Sequence, residues 1–214
     1  MSKHAEAPVS GRLITVEGIE GVGKSTNLAF VAEELRRAGH EVLVTREPGG
    51  TPLGEKIREL LLQPGSEIVP MAELLLMFAA RAAHLETVVL PALQSGRWVV
   101  CDRFTDASHA YQGGGRGISS ATIDMLDKLV TGGLRPDLSL LLDVPLEVSA
   151  ERQAGRSDRD RFEREASPFF RRVRARYLEL ARAEPQRIRV IDAARSLPEV
   201  QAGIRHALQA VLVR

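Results

Sequence analysis

The sequence predicts an α/β fold: a five-stranded parallel sheet with helices on both faces. Three observations carry this. Short β-rich runs alternate with stretches of helical periodicity along the chain, the signature of strands joined by crossover helices. One run, Leu138 to Asp143, is nearly all apolar, as a strand in the middle of a parallel sheet must be. The octapeptide Gly18-Ile19-Glu20-Gly21-Val22-Gly23-Lys24-Ser25 stands between the first strand and the first helix. That setting turns a glycine pattern into a phosphate-binding loop.

In chain order, the residues from Arg12 to Glu17 form the first strand, and Thr26 to Ala38 the first helix. Glu41 to Thr45 reads as a second strand, running into the loop Arg46-Glu47-Pro48-Gly49-Gly50-Thr51-Pro52, and Leu53 to Leu62 as a helix. Met71 to Leu93 is a long helix, apolar on most sides and therefore buried. Arg97 to Cys101 is the third strand. The run Gly113-Gly114-Gly115-Arg116-Gly117 breaks the chain before a helix from Ser119 to Val130. After the fourth strand a helix follows Pro145; Ile188 to Asp192 is the last strand and Leu197 to Val213 the closing helix. No repeat or linker divides residues 1–214, which read as one domain with a polar tail at 1–10.

The glycine loop has a direct physical reading. Its glycines let the backbone curl so that successive N–H groups point at phosphate oxygens, and the helix behind it offers its positive end to the same anion. Lys24 reaches the outer phosphates and the Ser25 hydroxyl can ligate Mg2+; Thr26 closes the loop. A formal net charge of +1 gives no bulk attraction to nucleic acid or to a membrane surface. The sole cysteine, Cys101, excludes an internal disulfide and a cysteine-rich zinc site. No uninterrupted apolar run approaches the ~20 residues of a membrane span, and Met1 to Ser10 lack the apolar run of a signal peptide, so the expected location is cytoplasmic. Because ligands bind at the carboxyl ends of parallel strands, Arg46 after the second strand and Asp102-Arg103 after the third should meet the loop in one crevice.

The strings Thr45-Arg46-Glu47-Pro48-Gly49-Gly50-Thr51, Asp102-Arg103 and Ala110-Tyr111-Gln112-Gly113-Gly114-Gly115-Arg116-Gly117, together with the glycine loop and in this order, closely resemble bacterial thymidylate kinases from Leu13 onward. The resemblance implies the P-loop NTPase fold, phosphoryl transfer from ATP to dTMP with Mg2+, and a homodimer formed by helix packing. It implies roles too. Gly18 to Thr26 would bind ATP, with Lys24 stabilising the transferred group. Ser25 and Asp102 would hold the metal, although Asp143 also ends an apolar strand and competes for that place. Glu20, an anion inside a phosphate loop, makes sense if it accepts from the sugar 3′-hydroxyl. Arg46 and Arg103 would clamp the acceptor phosphate, where bidentate geometry suits guanidinium.

The base pocket is expected from Phe78, Arg81, Ser108, Tyr111 and Gln112, with Tyr111 selecting deoxyribose. Relatives often carry the stacking aromatic four residues before the arginine, a place held here by Met77, so either Phe78 stacks or Met77 lines the ring. The charge-rich stretch from about 152 to 163 resembles the family's lid, with Arg152 toward ATP and Arg156 and Arg161 supplying positive charge to the transition state, because Gly21 and Val22 leave the loop itself without an arginine. Another nucleotide kinase, or a P-loop switch protein that hydrolyses ATP slowly, are the competing functions.

Overall fold

The computed structural model describes residues 11–154 and 160–212. Five strands, β1 (Leu13–Glu17), β2 (Val42–Arg46), β3 (Trp98–Asp102), β4 (Leu138–Asp143) and β5 (Ile188–Asp192), form one parallel sheet in the order β2-β3-β1-β4-β5. The alternation of side chains divides the core. Ile14, Val16 and Val100 pack with Val31 and Leu35 of α1 (Lys24–Arg37). Their neighbours Leu13, Val99 and Cys101 pack on the opposite face with Leu85, Val89 and Leu93, as a period of two demands. Register places Val16 beside Asp102 and Asp102 beside Arg46, so three carboxyl strand ends open onto one edge.

Thr51 caps α2 (Pro52–Leu62) by accepting from the Gly54 N–H at 2.9 Å. Next, α3 (Pro70–His84) passes through a wider, π-helical turn at Leu85–Val89 into α4 (Leu90–Gln94). Pro91 has no N–H and its ring crowds the preceding turn; loosened winding lets the helix continue past it. The continuous helix Pro70–Gln94 is long and apolar enough, by length and composition, to cross a membrane, a property hidden from a search for uninterrupted apolar residues. Its burial is one-sided: Glu73, Arg81 and His84 are buried, while Met71 and Leu75 are exposed.

The glycine run breaks the chain only at its end, where the helix stops at Gly115 and Gly117 takes φ 79°. After the short α5 (Thr105–Ser108), His109–Gly115 is itself helical, followed by α6 (Ser120–Thr131), which Ser119 caps and Gly132 ends at φ 62°. Two of these glycines exist for packing. A Cβ on Gly115 would sit 2.4 Å from the Phe169 ring, and one on Gly114 would sit 2.9 Å from the Arg172 carbonyl oxygen. Both neighbours belong to α8 (Ser167–Ala183), a helix that the sequence reading does not delimit. Between β4 and α8 lies α7 (Leu146–Gln153), and α9 (Leu197–Leu212) returns against β5, β4 and α1.

Candidate active site

The site begins where β1 ends. Gly18 and Gly21 have φ of 136° and 73°, and a Cβ on Gly18 would lie 2.4 Å from the Leu142 carbonyl oxygen, so the loop both needs and is confined to glycine backbone. Ile19 and Val22 are anchored in the core, which leaves only their backbone for a phosphate. From α7, the Ser149 hydroxyl donates to the Glu20 carbonyl at 2.7 Å and braces the loop from behind; Gln153 in turn donates to the Ser149 hydroxyl at 3.0 Å, and Arg152 is exposed on the same helix. Half-buried Lys24 donates to the Gly18 and Ile19 carbonyls at 3.2 and 2.9 Å. Withdrawal from solvent, and then the Arg103 charge, push its amine from 10.5 down to about 8, against the opposing pull of Glu20, Asp102 and Glu17.

Arg103 leaves β3 in the left-handed region, φ 68°, an uncommon conformation for a non-glycine residue. It turns the side chain back across the strand ends. Its guanidinium donates to Glu20 at 2.8 Å, lies 4.6 Å above the Tyr111 ring and reaches the Tyr177 hydroxyl at 3.5 Å. Tyr111 donates its hydroxyl to Glu20 at 2.8 Å. Beneath them, buried Glu17 accepts from the Phe104 N–H and the Tyr177 hydroxyl, both at 2.8 Å. Burial pushes its carboxyl up to about 8, with the Asp106 charge adding to the rise and Arg103 opposing it.

Beside Glu20 opens a cleft lined among others by Arg58, Met77, Arg81, Arg103, Ser108, Tyr111, Gln112 and Phe162, apolar and aromatic walls with a few convergent polar groups, as small-molecule sites have. Arg81 is held at the cleft wall by Glu47 at 2.7 Å, the Ser108 hydroxyl at 3.1 Å and the Phe104 carbonyl at 3.0 Å. Glu47 also meets His84 Nδ1 at 3.0 Å, and His84 Nε2 meets the Thr45 hydroxyl at 2.7 Å. Arg58 donates to the Pro48 carbonyl at 3.0 Å. Burial, and then its neighbours Arg46 and Arg103, hold the Arg58 guanidinium below its ordinary value. Arg58 and Arg103, two guanidiniums lining the same cleft, form a receptor for an anion.

A second cavity lies at the ends of β2 and β3. It is lined by Ser25, Thr45, Arg46, Gly50, Glu55 and Asp102 among others. Asp102 Oδ1 is buried without a hydrogen-bond partner. Asp143, its rival by sequence, is held by Arg174 through two bonds of 2.7 and 2.8 Å, which leaves Asp102 as the available carboxylate.

Several expectations need correction. Phe78 does not face the cleft: it is 2% exposed and packs with Leu74 and Ile123, beneath Arg81 at 4.6 Å. Met77, one residue earlier and about 100° around the helix, takes the cleft position. Arg46 lines the second cavity and pairs with Glu55 at 2.9 Å, whereas Arg58 stands with Arg103 at the first. Arg161 is not directed at the loop; it binds the Leu61 carbonyl at 2.9 Å, pairs with Glu73 and stacks on Phe162. Arg156 lies outside the described residues. Glu47, Arg58, Glu73 and Phe162 were not among the expected site residues. Glu47 sits inside the Arg-Glu-Pro-Gly-Gly-Thr string and was legible there; Arg58, one charge among many on a helix face, was not.

A phosphate loop on a β2-β3-β1-β4-β5 sheet, opening beside a cation-lined cleft, defines a P-loop phosphotransferase of the nucleoside monophosphate kinase class. The family model for thymidylate kinase matches residues 16–204. The chain is 57% identical over 202 residues to a thymidylate kinase of Methylococcus capsulatus, covering 94% of this chain and 97% of that protein. It is 56% identical over 195 residues to one of Pseudomonas syringae pv. syringae, covering 91% and 93%. Among solved structures, thymidylate kinase from Ehrlichia chaffeensis superposes with a TM-score of 0.76 at 34% identity, over 94% of this chain and 99% of that one. The chain belongs to the thymidylate kinase family.

Two predictions come from the site's charges. Because the folded Lys24 value, about 8, lies below its ordinary 10.5, the unfolded chain binds more protons across that window, and this group's contribution to stability rises with pH there. A bound phosphate reverses the deficit. Calorimetry of ATP binding in buffers of different ionisation enthalpy should therefore show uptake of about half a proton near pH 8, fading toward pH 7; uptake absent at pH 8 removes the depressed lysine. Arg58→Ala should weaken dTMP capture by about 10- to 100-fold, the worth of a charge-assisted hydrogen bond, with ATP affinity unchanged. An unchanged KM for dTMP would place Arg58 outside the acceptor site.

Proposed function

We infer that the chain transfers the γ-phosphoryl group of ATP to dTMP, giving dTDP and ADP. The observation that carries this reading is the Glu20 bridge. One carboxylate of the phosphate loop is bonded to Arg103 and Tyr111 of the neighbouring cleft at 2.8 Å each, so donor and acceptor sites share a wall.

The loop N–H groups and Lys24 receive the donor phosphates, and Arg103 with Arg58 receives the acceptor phosphate. One acceptor phosphate oxygen attacks the γ-phosphorus as the bond to the β-bridging oxygen breaks, and ADP leaves with that electron pair. Holding both phosphates in line is most of the catalysis, since the reaction asks the protein for position and positive charge. Glu20 is placed to accept from the sugar, Tyr111 fills the space beside it, and Met77, Arg81, Ser108 and Gln112 surround the base. The residues also fit Mg2+. The Ser25 hydroxyl and the unpartnered Asp102 oxygen border one cavity, hard oxygen donors of the kind this ion takes alongside phosphates. When bound, it would neutralise phosphate charge.

A homodimer belongs to the same reading. Leu53 and Leu60 of α2, Met71 and Leu75 of α3, and Met125 and Leu129 of α6 are exposed large apolar side chains on packed neighbouring helices, an apolar surface suited to a second copy.

Coupled ADP-release assays with dTMP, dUMP, dCMP, dGMP and thymidine in parallel test the activity. Turnover should be greatest with dTMP, lower with dUMP and marginal with dCMP and dGMP. Equal rates with dTMP and dGMP overturn the reading, and ADP release indifferent to any acceptor points to a hydrolytic switch. Sedimentation velocity should give twice the chain mass; a monomer at assay concentrations removes the dimer.

A further inference from the structure

Glu73, on α3, is wholly buried, and the phosphoryl-transfer scheme above gives it no role. Its carboxylate accepts from Gln112 Nε2 at 2.9 Å and from Arg116 Nε at 3.2 Å to each oxygen, and it also holds the Arg161 guanidinium. Gln112 lines the acceptor cleft beside Arg81 and Ser108.

An ionised carboxylate, flanked here by two guanidiniums, only accepts hydrogen bonds. It can hold the amino end of a primary amide and repels the oxygen end. The orientation of Gln112, usually a matter of assignment between nearly equal atoms, is thus dictated by its partner. With the amino end on Glu73, the amide oxygen is the end available to the cleft. Next to it, Arg81 has three of its N–H directions engaged by Glu47, Ser108 and Phe104 out of about five donors on a guanidinium. The wall therefore sets an acceptor beside donors. Thymine and uracil present the complement, an N3–H next to a C4 carbonyl; cytosine presents the reverse, a bare N3 next to an amino group.

We propose that Glu73 is a positioning residue for base choice: it locks Gln112 with its oxygen toward the cleft, so that the site accepts the thymine or uracil edge and rejects that of cytosine. The inference rests on the acceptor-site reading above. Glu73 never touches the nucleotide; it acts through the amide. It also explains why the segment carrying Arg161 and Phe162 is fastened here, since the same carboxylate fixes the base reader and one wall of the cleft.

Glu73→Gln tests it, because an amide partner can donate or accept and no longer dictates the Gln112 orientation. Rates are read as kcat/KM for dTMP, dUMP and dCMP on the intact chain. The dTMP to dCMP ratio should fall by at least about tenfold, the scale of one buried hydrogen bond turned from matched to mismatched. The dTMP to dUMP ratio should stay within about twofold, since both bases share the edge that Gln112 meets. General loosening of the cleft would move both ratios together and overturns the proposal, as does a folded variant that keeps both. Arg116→Gln removes a charge from the same carboxylate and spares the amide bond; it should keep both ratios.

If Glu73→Gln does not fold, the side-chain amide signals of Gln112 in the unsubstituted chain, assigned by their loss in Gln112→Met, carry the test. They should exchange slowly with solvent both with and without dTMP; exchange at the rate of a free amide overturns the proposal. An unsubstituted chain that fails to phosphorylate dTMP overturns the acceptor reading itself. A chain that phosphorylates dTMP, and whose Glu73→Gln variant keeps its ratios, overturns only the role of Glu73.

Discussion

The Arg103–Glu20 pair, 2.8 Å apart, is the interaction on which the rest of the site depends. It joins the phosphate loop to the cleft that we propose receives the acceptor nucleotide. Neither partner reaches its place by ordinary local structure. Arg103 needs a left-handed turn directly after β3, and Glu20 needs a glycine on its far side, Gly21 at φ 73°. Once made, the pair ties the loop to the cleft, because Arg103 directly follows β3 and the Glu20 backbone is held by the Ser149 hydroxyl. A carboxylate inside a phosphate loop is otherwise unfavourable; bonded to Arg103 and the Tyr111 hydroxyl, it becomes the wall between donor and acceptor.

A related device recurs behind several polar groups of the cleft: a buried carboxylate. Glu47 orients Arg81 and His84, Glu73 orients Gln112 and Arg116, and Glu17 orients Tyr177 and the turn at Phe104. Each carboxylate is buried, and each stands behind a residue that faces the cleft or borders it. Buried ion pairs are weak sources of net stability, because desolvation offsets much of the attraction. Their effect here is on geometry. A reading group whose donors are already committed in known directions does not reorganise when substrate arrives, which is what an electrostatic site requires.

How much of this was legible in the sequence follows from how each feature is encoded. The strands, their alternation with helices and the phosphate loop are local patterns, and they stand where the sequence puts them, with boundaries moved by a residue or so. The resemblance to the family also named Arg81, Arg103, Ser108, Tyr111 and Gln112, all of which line the cleft or form its wall. Phase on a helix was harder. Phe78 and Met77 differ by one residue, yet one is core and the other cleft, because the cleft meets α3 along a line that α2 and α6 determine. The glycine run was misjudged for a related reason. Its composition signals a turn, but the demand it meets is the approach of Phe169 and Arg172 from a helix more than 50 residues later in the chain. Glu73 and Arg58 carry no local signal at all; their roles exist only once three helices and the segment after 160 are packed together.

One electrostatic state links the two halves of the site. Lys24 and Arg58, on opposite sides of the Glu20–Arg103 wall, are both held below their ordinary values, each by burial first and by a neighbouring guanidinium next. The sign is the same on both sides, whereas Arg103 between them is held above its ordinary value, because Tyr111, Glu20, Tyr177 and Asp102 outweigh its burial. Phosphate entering either half relieves the strain on that half, and Arg103 contributes to the deficit in both. A nucleotide bound on one side therefore changes the field felt on the other through a single shared cation. Anions that bind only the folded chain also stabilise it by mass action, so a phosphate that restores the ordinary protonation of Lys24 stabilises the fold that holds it.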